Sequence, residues 1–259
     1  MEENFLERNS EPVKVKYSIY PIQSAAVTAL AVFAALAAVL AGPGSRLGIW
    51  NFRTGFEILH WALYASVVAV AGAIAVLIFK RNNKLKSLLM VVPGLVIGLA
   101  VIVVLVNVWL TTRNSPAIHD ITTDIVNPPQ FVKILPLRSD SANTAQYGGP
   151  EVAIKQLQAY PDIKPLVLEV PPDQAFDAAL NTARSMRWKI VDADKAAGRI
   201  EATATTFWFG FIDDIIIRVT SVDHRSIIDI RSVSRVGRSD AGTNARRVRT
   251  FLKRLRHNV

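Results

Sequence analysis

The 259-residue sequence carries 30 Lys and Arg against 21 Asp and Glu, a net charge of +9, and no cysteine. Hydrophobic residues make up 51% of it and crowd into the first 110 positions, a distribution that excludes an ordinary soluble globular chain and points to a membrane region plus a domain. The missing cysteine excludes disulfides, thiolate catalysis and Cys-ligated zinc or iron–sulfur centres, while leaving an oxidising compartment open.

Residues 1–21 form a short polar leader with Arg8, Lys14 and Lys16. Residues 22–42 then run without a charge, and at 1.5 Å per residue they cover the roughly 30 Å of bilayer hydrocarbon. A cleaved signal peptide is the competing reading, but the apolar run is too long for one and two similar runs follow. Residues 59–79 and 88–110 are the second and third spans, uncharged apart from His60 beside a boundary. Trp50, Trp61, Tyr64 and Trp109 fall near span ends, where amphipathic rings sit among headgroups. Pro93 and Gly94 are expected to kink the third span, and Gly72 with its neighbouring alanines to allow close helix packing.

The connection KRNNKLK between spans two and three holds Lys80, Arg81, Lys84 and Lys86 and no acid, which predicts a cytoplasmic loop. Threading outward from it places the N-terminus in the cytoplasm and everything after the third span on the other side. The expected location is therefore a bacterial inner membrane with a periplasmic or otherwise extracytoplasmic C-terminal domain.

Residues 111–165 are proline-rich. Eight of the 13 prolines lie between Pro128 and Pro172, which predicts an extended arm wrapping the domain, with one short helix from Glu151 to Tyr160. A disordered linker is disfavoured because Ile121, Ile125, Val126, Phe131, Val132, Ile134 and Leu135 are too apolar for a solvated tether. Residues 166–259 show clear periodicities. They predict a strand at 166–170, a helix capped by Asp173 and running to about Met186, and strands at 188–192 and 199–207. Two more strands, 212–221 and 226–235, follow, and a helix from about Asp240 to His257 closes the order. Ile215, Ile217 and Val219 share one strand face, opposite Asp214 and Arg218. The expected fold is three transmembrane helices followed by an α+β domain with an antiparallel sheet packed on two helices.

Residues 234–249 place Arg235, Arg238, Asp240 and Asn244 around a turn and a helix start, where guanidinium groups and backbone donors can meet an anion. The structural alternative is that Ser239 or Asp240 caps the helix, Gly237 makes the turn, and the arginines pair with strand carboxylates. In the last helix Val248, Phe251, Leu252 and Leu255 form an apolar stripe beside Arg246, Arg247, Arg249, Lys253, Arg254 and Arg256. That pattern suits either a core-packed helix with a solvated basic face or attraction to anionic headgroups or an acidic partner. Phe207, Trp208, Phe209 and Phe211 form an aromatic hairpin tip, which either dips into the bilayer, lines a pocket, or lids the sheet's own core.

Asp120 and Asp124 lie close to the third span and join Arg235, Arg238, Asp240 and Asn244 as candidate ligand-binding residues. Asp213 and Asp214 are adjacent on a strand, so they point to opposite faces and cannot serve one surface as acid and base. Four scattered histidines give no ligand spacing, and no nucleophile elbow, phosphate loop or dinucleotide fingerprint occurs, so neither metal nor cofactor is expected.

The segments HDITTDIVNPPQF, DDIIIRV and RSVSRVGRSDAGTNARRVRTFLKRL resemble bacterial proteins of the family called domain of unknown function 1499, over about residues 115–256. The three spans are similar to those of its membrane-anchored members. The resemblance implies a domain boundary and no mechanism. The expected function is non-catalytic: an envelope domain that binds an anionic or amphipathic ligand, such as an anionic lipid, or a partner protein at the bilayer. The alternative is an envelope enzyme using Asp124 or Asp213 with Arg235 and Arg238. Nucleic acid suits the charge but not the compartment. A transporter is disfavoured because the spans hold no intramembrane charge.

Overall fold

The computed structural model describes residues 20–79 and 84–259. Lys80 and Arg81 of the basic connection, like Arg8, Lys14 and Lys16 of the leader, lie outside the described residues. Three long helices open the fold: α1 (Tyr20–Arg46), α2 (Phe52–Phe79) and α3 (Lys84–Asn114). Each is long and apolar enough to cross a membrane, which associates the chain with a lipid bilayer. The described residues fall into two compact units. One holds residues up to Leu36 with Trp61–Ile102, and the other holds Ala37–His60 with Val103–Val259.

The first unit is packed through small residues. Ala62, Ala69 and Ala73 of α2 are buried, and Gly72 lies so close to α1 that an added Cβ would stand 3.1 Å from Val27 Cγ2. A Cβ at Gly94 would stand 2.7 Å from Thr28 Oγ1, and Thr28 Oγ1 donates to the Met90 carbonyl at 2.6 Å. Without hydrophobic drive between helices in lipid, such close backbone approach supplies the dispersion contact.

The second unit is an α+β domain with the end of α1, the start of α2 and the last turns of α3. Its elements are β1 (Asp120–Thr122), a 3₁₀ turn (Leu135–Arg138), α4 (Gly149–Ala159), β2 (Leu166–Leu168), α5 (Pro172–Ser185), β3 (Lys189–Asp194), β4 (Arg199–Thr205), β5 (Ile212–Val222), β6 (Arg225–Ser234) and α6 (Thr243–His257). The sheet is antiparallel throughout, in the order β1-β6-β5-β4-β3, with β2 pairing β6 beside β1. Between β5 and β6, Asp223 and His224 both have positive φ, as a two-residue hairpin turn requires.

One sheet face carries Ile200, Ala202 and Ala204 of β4, Ile215, Ile217 and Val219 of β5, and Ile228 and Ile230 of β6. The alanines leave room for α5 and α6, which bring in Phe176, Ala179, Ala183, Val248, Phe251 and Leu255. Trp188 stacks on Phe251 at 5.4 Å. Deleting such a fully buried aromatic typically costs ~3–5 kcal/mol, so this layer accounts for much of the domain's stability.

The opposite face is charged yet equally buried. Residues 123–147 cover it, with Phe131 and Ile134 packing on Ile216 and Val233. Glu201, fully buried, accepts the backbone N–H groups of Val132 and Ile134 at 2.8 Å each, fastening the arm to β4.

Several boundaries differ from the sequence expectation. Helix α5 is preceded by Pro171 in an extended conformation (ψ 153°), so Asp173 falls inside the first turn and is not the cap. Helix α6 starts at Thr243 behind Gly242, whose φ of 74° is left-handed, three residues later than expected from Asp240. Strand β1 was not foreseen at all. It is three residues long and exists because β6 offers an unpaired edge.

Candidate functional site

Charged side chains pair between arm and sheet in three clusters, two of them buried and the one around Arg218 half-buried. Arg231, fully buried, donates through Nε and Nη2 to both Asp120 oxygens at 3.0 and 2.8 Å, and to the Pro129 and Ala145 carbonyls. Its guanidinium lies between the Phe131 and Tyr147 rings. The Tyr147 hydroxyl is buried with no hydrogen-bond partner among the described residues, and burial together with Asp120 pushes its pKa up to about 12. Arg218 bridges Asp124 and Asp229 at 2.8 Å each. Asp214 accepts both Arg138 and, at 2.9 Å twice, Arg235.

On the helix side, Arg247 donates to Asp213 at 2.5 Å. Asn244 accepts from Ser232 and donates to Ser234 Oγ and the His119 carbonyl. Asp240 receives the Gly242 and Asn244 backbone N–H groups, doing the work of a cap from outside the cap position. Burial nevertheless raises its pKa above the usual carboxylate range, those N–H bonds only partly offsetting it.

The six residues proposed from sequence for ligand binding are therefore not brought together in one place. Asp120 and Asp124 hold the arm, Arg235 serves Asp214, Asp240 and Asn244 organise the start of α6, and Arg238 is exposed.

The aromatic tip is closed by Thr206 N–H to the Phe211 carbonyl and Phe211 N–H to Thr206 Oγ1, with Gly210 at φ 73°. Three of its four rings pack on the ends of α1 and α2. Phe209 and Phe211 stack at 5.4 Å and meet Phe56 and Phe52. Trp208 lies on Gly42, where a Cβ would stand 2.3 Å from Cδ1, and its Nε1 donates to the Val39 carbonyl at 3.1 Å. An α-helical carbonyl is normally paired with the N–H four residues later, but that residue is Pro43, which has none. The indole supplies the donor that proline removed. Phe207 points away and is 91% exposed, while its carbonyl accepts from Arg46 Nη1.

A cleft lies on each side of this tip. One, of about 580 Å³, is lined by Trp50, Phe52, Phe209 and Phe211 with Asp140 and Arg235 at its polar end. The other, of about 610 Å³, is lined by Arg46, Arg187, Arg246, Arg247, Thr243, Thr250, Trp188 and Phe207, with no carboxylate. Arg247 is neutralised by Asp213; Arg46, Arg187 and Arg246 form no ion pair among the described residues. Sequence reasoning missed this second cleft. Arg187 is presented by a positive φ of 59° that no local motif announces, and Arg46 arrives from a different part of the chain.

These features define a membrane-anchored protein: three apolar helices carrying an antiparallel α+β domain whose motif charges hold its own arm in place. The chain belongs to the family described as "Protein of unknown function (DUF1499)", whose model matches residues 120–255, from the first residue of β1 to within the last turn of α6. No curated protein matches it.

Proposed function

We propose that this is a non-catalytic protein of the bacterial inner membrane. Its extracytoplasmic domain binds an anionic or amphipathic ligand at the bilayer surface. The orientation rests on the acid-free KRNNKLK connection. The single observation that carries the binding role is the docking of Trp208 against the last turns of apolar α1, which leaves exposed Phe207 beside Arg46 at the helix end. An aromatic ring and guanidinium groups at that level suit a molecule with an apolar body and a negative head.

An envelope enzyme is less well supported, because Asp124 and Asp213 stand on opposite sheet faces, each bonded to its own arginine. A partner protein is the other candidate occupant of the same surface.

Two measurements test the proposal. Reporter fusions at the C-terminus and near Lys84 should place them on opposite sides of the membrane, the C-terminus outside; a cytoplasmic C-terminus would refute the compartment. Lipid extracted with the full-length protein should be enriched in anionic species over the host membrane, and an unbiased lipid profile would refute the ligand.

A further inference from the structure

We infer that the cleft between Arg46, Arg187 and Arg246 is the seat of a phospholipid's phosphate, with Phe207 against the glycerol and first acyl carbons. This rests on the proposed surface-binding role and gives it a site and a ligand class.

Four guanidinium groups line one cleft with no carboxylate among its residues, and while Asp213 neutralises that of Arg247, the other three form an arrangement that is electrostatically unfavourable until an anion enters. Two of them are held by neutral acceptors. Arg46 Nη1 donates to the Phe207 carbonyl, and Arg246 donates to the Ala241 carbonyl and Thr243 Oγ1 at 3.1 Å each. Such bonds fix the direction of a guanidinium without cancelling its charge. Arginine, rather than lysine, at all three positions favours an oxyanion that accepts paired bonds from a planar guanidinium, as phosphate does. A free phosphate would have no use for Phe207, which is 91% exposed beside the cleft at the end of a span.

The site is also composite. Arg46 ends α1, whereas Arg187 and Arg246 belong to the domain, and the Trp208–Val39 bond next to Gly42 brings the two together. Ligand binding and docking of the tip are therefore linked, each strengthening the other.

The test uses full-length protein in detergent, titrated with phosphatidylglycerol, phosphatidylcholine or glycerol 3-phosphate and read by native mass spectrometry. Wild type should retain phosphatidylglycerol well above phosphatidylcholine, and glycerol 3-phosphate should bind weakly. Arg187→Gln with Arg246→Gln should lower phosphatidylglycerol affinity by about tenfold or more, as expected for losing two charge-assisted contacts. Lys253→Gln with Arg254→Gln, on the exposed face of α6, should change it less than about threefold, the residue of long-range attraction. Trp208→Ala should weaken binding with every arginine in place.

An equal fall in the α6 control would show diffuse attraction and overturn the site while leaving the surface-binding role intact. Equal binding of phosphatidylglycerol and phosphatidylcholine by wild type would overturn both. Tight glycerol 3-phosphate binding would overturn the lipid assignment, and unchanged binding by Trp208→Ala the composite one. Melting temperatures of all variants, which alter exposed or tip residues, separate lost binding from lost folding.

Discussion

Replacing Arg231 by Met removes the cation from the most completely buried cluster in the domain. Arg231 is fully buried and Asp120 is 3% exposed, so the carboxylate left behind has neither solvent nor counter-charge. The Pro129 and Ala145 carbonyls lose their donor at the same time. Breaking a buried pair from one side costs about 3–5 kcal/mol, against a total stability on the order of 5–15 kcal/mol. For a domain of this size that is a fall of roughly 6–20 °C in melting temperature. The assay is thermal unfolding of the full-length protein in detergent, followed by tryptophan fluorescence, with Trp188 in the core as the reporter. Pairing Arg231→Met with Asp120→Leu should recover part of the loss, giving a coupling of roughly 1–3 kcal/mol in a double-mutant cycle. A shift in Arg231→Met smaller than about 1 kcal/mol, or no coupling, would falsify the view that this pair fastens the arm.

Tyr147→Phe removes a buried hydroxyl that has no partner among the described residues, so at neutral pH it should alter stability by less than about 1 kcal/mol. The wild-type phenol, with a pKa of about 12 folded against 10.0 in the ordinary state, keeps its proton in the folded chain after the unfolded chain has lost it. Stability should fall between pH 10 and 12, by less than the roughly 2–3 kcal/mol of the full shift because part of the ring meets solvent, and Tyr147→Phe should abolish that part of the loss in denaturant titrations. Gly42→Ala drives a methyl into the Trp208 ring, and the tip should be displaced from α1, seen as a red-shifted Trp208 emission in a variant whose other tryptophans are phenylalanine. An unchanged spectrum would mean that the ring does not depend on the gap at Gly42.

Much of the fold is legible in the sequence because its periodicities are strong. Strands β4, β5 and β6 stand out as runs rich in β-branched residues bounded by turns, and Val248, Phe251 and Leu255 mark the buried stripe of α6. The adjacency of Asp213 and Asp214 correctly separates them, one facing Arg247 and the other Arg138 and Arg235. What local pattern cannot carry is partnership across long separations. Asp124 meets Arg218 and Asp120 meets Arg231 only after the arm has crossed the sheet. The motif residues look like a ligand site for this reason: buried, hydrogen-bonded charge has the same sequence signature whether the counter-ion is a side chain or a bound molecule. The arginine cleft stayed hidden for the opposite reason, since Arg46, Arg187 and Arg246 belong to no common motif.

The proline at position 43 also sets an order of events during synthesis. The Val39 carbonyl is made and inserted with the first helix, but its donor, Trp208, lies 165 residues beyond Pro43 (208 − 43). At ordinary translation speeds that interval is roughly 10–30 s. A carbonyl kept waiting in hydrocarbon would be costly, whereas one at the last turns of a span can be hydrated until the tip arrives. The position of this proline near the end of α1 thus lets the anchor be completed first and its domain be received afterwards.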